Sequence, residues 1–226
     1  MNFTNLTDED EWLDDFHPGQ ILGGVVIVLS TALLITQVLF ISVNIKKCGF
    51  STDFAYTLMC LITIMDIMQL SFHDMIGVIL CFQLRLPSFI TIVGAFMGSS
   101  WMVMAINSVL LSFHRLVWTI WPFQAHSILP PRFLKAILAV IFLIYCLLLG
   151  IMLSPLSEMT FSVYYMMWYY NGDYPLSWVN DRLDSLSNYV TPVVNTLLSA
   201  ISFTVLFCKR SALRKSSELR ITLLVS

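Results

Sequence analysis

Residues 136–157 read AILAVIFLIYCLLLGIMLSPLS, with no aspartate, glutamate, lysine or arginine among them. A helix rises about 1.5 Å per residue and bilayer hydrocarbon is about 30 Å thick, so about 20 apolar residues suffice to cross. Four further stretches, at 21–44, 54–80, 86–113 and 185–208, are nearly free of charge and at least as long. Together the five separate every cluster of lysine and arginine in the chain. The sequence therefore predicts an all-α integral membrane protein, a bundle of five transmembrane helices with membrane lipid as its surroundings.

Composition points the same way. Hydrophobic residues make up 58% of the 226 and charged residues 12%, where a soluble domain carries about 25% charged residues. No block is basic enough, or placed so as, to make nucleic acid an expected partner. The cysteines Cys48, Cys60, Cys81, Cys146 and Cys208 have no metal-ligand spacing. Neither a metal nor a cofactor is expected.

Residues 1–20 form an acidic tail, with Asp8, Glu9, Asp10, Glu11, Asp14 and Asp15 and no lysine or arginine. A cleavable signal needs a basic start, so the first span is expected to act as its own insertion signal. Asn2-Phe3-Thr4 and Asn5-Leu6-Thr7 fit the glycosylation acceptor, which places this tail outside. With that orientation the inner segments hold ten of the twelve lysines and arginines, and the outer segments hold Arg85 and Arg182. This is the arrangement that the positive-inside rule requires. Residues 209–226 then read as a cytoplasmic basic segment ending in the first turns of a sixth span, as in a truncated chain.

Polar residues inside spans cost free energy and tend to face protein or water. In the second span Thr63, Asp66, Gln69, His73 and Gly77 share one face. Asp66 sits near mid-membrane, where it would carry a proton, bind a cation, or lock two helices by hydrogen bonding. In the third span Gly94-x-x-x-Gly98 permits close helix contact, and Ser100, Asn107 and His114 recur every seven residues as an inward-facing seam. Asn188, Thr191, Asn195, Ser199 and Ser202 form a polar face on the fifth span, which Pro192 interrupts. The outer segment 158–184 is rich in tyrosine, with Trp168 and an Asn171-Gly172 tight-turn pair. It reads either as a hairpin lid or as an interfacial aromatic belt.

The inner end of the third span reads Phe113-His114-Arg115, followed by Trp121-Pro122-Phe123. One arginine there is an anchor that reaches for the headgroups. An arginine closing the third span with a proline and an apolar residue seven and eight positions later resembles the rhodopsin-like receptor pattern. The wider chain, over about 50–220, resembles the nematode serpentine chemoreceptors of class T. The similarity rests on Met65-Asp66-Ile67, on Cys81 with Pro87, and on the glycine-rich start and arginine end of the third span. It also rests on Tyr165-Met-Met-Trp168 and on Tyr189-Val-Thr-Pro192 with Asn195.

The resemblance implies a seven-helix architecture and a G-protein-coupled chemosensory receptor for a small environmental molecule, at the plasma membrane of chemosensory neurons. It implies a heterotrimeric G protein docking at His114, Arg115, Pro122 and Phe123. A ligand pocket is expected among Asp66, His73, Ser100, Asn107, Asn188, Thr191, Asn195 and Trp168. The chain departs from the pattern in several places. His114 stands where an acid or asparagine is usual, no cysteine pair ties the third span to the outer loop, and the sixth and seventh spans are missing. Signalling by this chain is thus in question. A small transporter or channel-like protein, using Asp66 and His73 as an ion path, is the other class. It lacks the internal repeat and second mid-span acid that such a path needs. An interaction-only fragment that pairs with other receptors is a third. Scattered histidines and the lack of a nucleophile motif argue against an enzyme.

Overall fold

The computed structural model describes the backbone of residues 18–48 and 54–225 and the side chains of 19–46 and 54–210. The acidic tail, with Asn2 and Asn5, lies outside the described residues. The elements are α1 (Pro18–Cys48), α2 (Phe54–Cys81), α3 (Ile90–Ile120), α4 (Ala125–Ile128), α5 (Pro131–Leu153), β1 (Met159–Ser162), β2 (Met167–Tyr170) and α6 (Ser177–Val225). Five helices are long and apolar enough to cross a membrane: Gly19–Lys46, Phe54–Cys81, Ile90–Ile120, Pro131–Leu153 and Ser177–Arg210. The protein is a helical membrane bundle, as the hydropathy pattern required.

The boundaries differ from the charge-free stretches for local reasons. The third helix runs on past residue 113 to Ile120, because no glycine or proline follows Gly98 until Pro122. Arg115 therefore lies within the last turns of α3 rather than at its end. α5 stops at Leu153 because the residue before Pro155 is pushed out of the helical region; Ser154 is extended at φ −83°, ψ 162°. α6 starts at Ser177 and continues through Pro192 to Val225. The segment expected to be a basic loop leading into a new span is helical and continuous with the fifth span. Beyond Pro192 the sequence contains neither glycine nor proline to break it.

α3 is the central element. Its most apolar stretch is 67% buried, against 17% or less in the other spans. It packs on α2, α5, α6 and β1, while α1 packs on α2. The α1–α2 seam is built from small and polar residues at seven-residue steps, Gly23, Ser30 and Gln37. A Cβ on Gly23 would stand 2.7 Å from the Gly77 carbonyl oxygen, so the two backbones touch. Gln37 Nε2 donates to Asp66 Oδ2 at 3.0 Å. Ser30 Oγ and Thr31 Oγ1 both donate to Asp74 Oδ1. In lipid no hydrophobic force brings helices together, so close packing and such bonds, about 0.6 kcal/mol each on average, do so instead.

The outer aromatic segment is a two-stranded antiparallel hairpin, with Met159 opposite Tyr170 and Phe161 opposite Trp168. Its turn falls at 163–166 rather than at Asn171-Gly172. Met166 takes the left-handed backbone position (φ 52°) that closes it, and Tyr165 N–H donates to Ser162 Oγ at 3.2 Å. Asn171-Gly172 instead makes a separate turn after β2, where Tyr174 N–H donates to the Asn171 carbonyl at 3.4 Å and Asp173 N–H to Asn171 Oδ1 at 3.2 Å. The Gly94-x-x-x-Gly98 pair likewise serves a partner the sequence did not name. Met159 of β1 sits where a Gly94 side chain would be, and Met159 Sδ lies 2.9 Å from the Cβ position of Gly98. Gly94 thus seats a strand of the lid, while Gly98 admits both the lid and α5, whose Met152 Sδ lies 3.1 Å from its Cβ position.

Candidate functional site

The hairpin is fastened at its base. Asn180 Nδ2 donates to Ser157 Oγ at 2.8 Å, and Glu158 N–H donates to Ser177 Oγ at 3.1 Å. Asn171 Nδ2 donates to Glu158 Oε2 at 2.8 Å. Ser157, Ser177 and Asn180 are all buried. The sequence analysis missed this cluster. No single motif marks it, since its members come from both ends of the loop.

Beneath the lid, α3 carries a column of buried polar groups. Ser100 and Asn107 are fully buried, and His114 is nearly so. Ser100 Oγ and both amide atoms of Asn107 have no hydrogen-bond partner in the structure. Gln69 Nε2 on α2 is in the same condition. The antiparallel register, fixed by Phe54 against His114 at one end and Ile79 and Leu80 against Ile90 at the other, sets Gln69 level with Ser100. The same register sets Thr63 level with Asn107. From α6, Asn195 Nδ2 donates to Ser108 Oγ at 3.0 Å, while Asn195 Oδ1 is unpartnered.

The lid contributes two more such groups, Trp168 Nε1 and the Tyr170 hydroxyl. Trp168 stacks edge-on against Phe161 at 5.4 Å. Burial, reinforced by the charges of Asp184 and Asp181, raises the Tyr170 phenol above its ordinary range, so it stays a hydrogen-bond donor. Each buried polar group without a partner costs about 1–3 kcal/mol. This column holds several polar groups that neighbouring side chains leave unmet.

Other expected pocket residues lie differently. Asp66 bonds to Gln37 in the α1–α2 seam, the helix-locking alternative among its readings. His73 is half-buried on the same helix. Asn188 is exposed, with a 3.4 Å bond to Asp184, and Thr191 is half-buried. The stripe on α6 is thus divided, with Asn195 turned to α3 and Asn188 away from protein.

At the opposite end of α3, Trp118 Nε1–H donates to His114 Nε2 at 3.0 Å. Phe54, His114, Trp118 and His126 form a chain of ring contacts. Arg115 reaches only a weak acceptor among the described residues, Met59 Sδ at 3.6 Å. A cavity of about 460 Å³ opens between α2, α3 and α6, lined by Ala55, His114, Arg115, Trp118, Ser202 and Leu206 among others. Lys209 of α6 donates to the Thr119 carbonyl at 2.6 Å and to the Ile120 carbonyl at 3.3 Å. Terminal helix carbonyls lack internal partners and carry partial negative charge, so a lysine there satisfies both needs. Past the helix end, Phe123 is fully exposed, while Ala125 and Leu129 pack with Val117. The structure thus gathers His114 and Arg115 at one cavity and leaves Phe123 exposed beyond the end of α3.

No curated protein matches the chain. The family model described as serpentine type 7TM GPCR chemoreceptor Srt matches residues 5–221. That span takes in the polar column, the lid and the arginine end of α3 alike, and the chain belongs to this family of multi-pass, receptor-type membrane proteins.

Proposed function

We propose that this protein is a plasma-membrane chemosensory receptor that binds a small, uncharged polar molecule beneath the hairpin and couples to a heterotrimeric G protein at the Arg115 end. The observation that carries this reading is the unpartnered column of Ser100, Asn107 and Gln69 under a lid with its own unpartnered Trp168 and Tyr170. A ligand that pairs with these groups in one arrangement of the helices and not in another shifts the balance between the two. Ser100, Asn107, Asn195 and Trp168 are the ligand contacts in this proposal. Asp66 holds α1 to α2 and has no ligand role.

At the inner face, Arg115 meets a thioether and no carboxylate among the described residues, and in this proposal its guanidinium exchanges partners. His114 positions Trp118 behind it. Pro122 ends the helix and turns Phe123 outward, where an apolar side chain buries itself only by entering a partner. With the acidic tail outside, this face meets the cytosol and its G proteins.

The test is nucleotide exchange on a purified heterotrimer, with the chain reconstituted in lipid nanodiscs. Exchange above that of empty nanodiscs, reduced by Arg115→Ala and by Phe123→Ala at unchanged thermal stability, is the expected result. Equal exchange with and without the chain would count against coupling. Equal exchange by the wild type and both variants would count against the assigned residues.

A further inference from the structure

The outer end of α2 closes in a manner that builds a second site, separate from the polar column. Leu84 N–H bonds to the Ile79 carbonyl at 2.9 Å, and Gln83 N–H bonds to the Leu80 carbonyl at 3.4 Å. Gln83 takes the left-handed conformation between them, at φ 50°. This paired pattern is the Schellman helix ending, which brings the residue after the turn back onto the last helical turn. Leu84 is thereby folded over Ile79.

The result is a groove of about 440 Å³ whose lining includes Val78, Ile79, Leu84, Pro87 and Phe89, with Arg85 as its charged member. Val78, Leu84 and Phe89 remain 39%, 51% and 47% exposed, so the groove is an open one with an apolar wall. It lies at the Cys81 end of α2, one of the five helices long and apolar enough to span. Arg85 is one of two cations on that side of the chain, the other being Arg182. An arginine beside an apolar slot is suited to a molecule with an anionic head and an apolar tail. Guanidinium binds phosphate through paired, charge-assisted bonds.

We propose that this groove holds an acyl chain of an anionic phospholipid from the adjoining leaflet, with its phosphate bound by Arg85. An open, almost wholly apolar wall beside a single cation, at the end of a candidate span, favours a lipid over a water-borne solute. The cap at Gln83 holds Leu84 and Arg85 in place before the lipid arrives.

The test uses the whole chain in vesicles doped with phosphatidic acid or phosphatidylcholine, each carrying a diazirine on its acyl chain, with labelled peptides read by mass spectrometry. Phosphatidic acid is expected to label residues 75–89 in preference to phosphatidylcholine. Arg85→Gln should lower that preference about tenfold, the loss expected for one charge-assisted contact. Val78→Trp, which fills the slot, should lower labelling by both lipids, and Arg182→Gln should leave it unchanged. Equal labelling by the two lipids would show ordinary bilayer solvation and overturn the proposal. So would a preference that survives Arg85→Gln. Labelling by a free photoactivatable fatty acid, but not by phosphatidic acid, would also overturn it.

Discussion

The two ends of α3 are finished in opposite ways. At the hairpin end a strand lies against Gly94, and hydrogen bonds among Ser157, Glu158, Asn171, Ser177 and Asn180 fasten the lid to the start of α6. At the arginine end the strongest described link between α3 and α6 is Lys209 on two terminal carbonyls, with Arg115 on a thioether and Phe123 in the open. One end is packed and polar-satisfied at its rim but unsatisfied beneath. The other is loosely tied and apolar at its tip. In the proposed function, a molecule that settles the polar column acts on the rigid end, while a protein partner acts on the end that has least to break.

The comparison is broken most sharply at Gly94. A side chain there meets the Met159 backbone, which cannot give way as a flexible side chain would. Gly94→Val should lower stability by about 1–3 kcal/mol, in the manner of an overpacked core, and free the lid for proteolysis near 163–166. Thermal unfolding in detergent and limited digestion read the two effects. A wild-type melting temperature would mean that the lid is not seated on this glycine.

Asn180→Ala removes a buried donor and leaves Ser157 and its neighbours to re-pair. It should cost about 1–2 kcal/mol, less than the overpacking limit, because one hydrogen bond and one desolvated partner are lost. The same digestion should show faster cutting of the lid, with cutting between α3 and α4 unchanged. Loosening at both ends would deny the contrast drawn here.

Lys209→Gln is expected to have the smallest effect on folding, within about 0.3–1 kcal/mol, as for an exposed charge at a helix terminus. Its effect should be on geometry. The distance between spin labels placed on Phe123 and Leu206 should broaden towards longer values relative to the parent. An unchanged distribution would show that Lys209 is not what holds the inner ends of α3 and α6 together.

Much of this architecture was legible in the residues. Five crossings follow from hydropathy alone, and the seven-residue spacing of Ser100, Asn107 and His114 correctly marked a buried face. The arginine–proline spacing drew attention to the end of α3 where the structure has a cavity lined by His114 and Arg115. What escaped was set by tertiary partners. Gly94 and Gly98 announce a close approach but not by what; a strand approaches Gly94, and the hairpin and α5 together approach Gly98. Asn171-Gly172 does turn the chain, but where it leaves β2; the pairing of Phe161 with Trp168 puts the hairpin's own turn at 163–166. Asp66 has the same sequence signature whether it binds a ligand or another helix, and only Gln37 decides between them. Lys209 belonged to a charge cluster, which says which side of the membrane it occupies and nothing of the carbonyls it reaches.

The most direct test is which side of the membrane each end of α3 faces. Tyr164 and Phe123 are both exposed, one on the hairpin turn and one beyond Pro122. In intact cells a membrane-impermeant maleimide should label Tyr164→Cys above the background of the native cysteines. It should label Phe123→Cys only after permeabilisation. Labelling of Phe123→Cys in intact cells, with Tyr164→Cys protected, would put the lid in the cytosol and the arginine outside, and would contradict the receptor reading at its root.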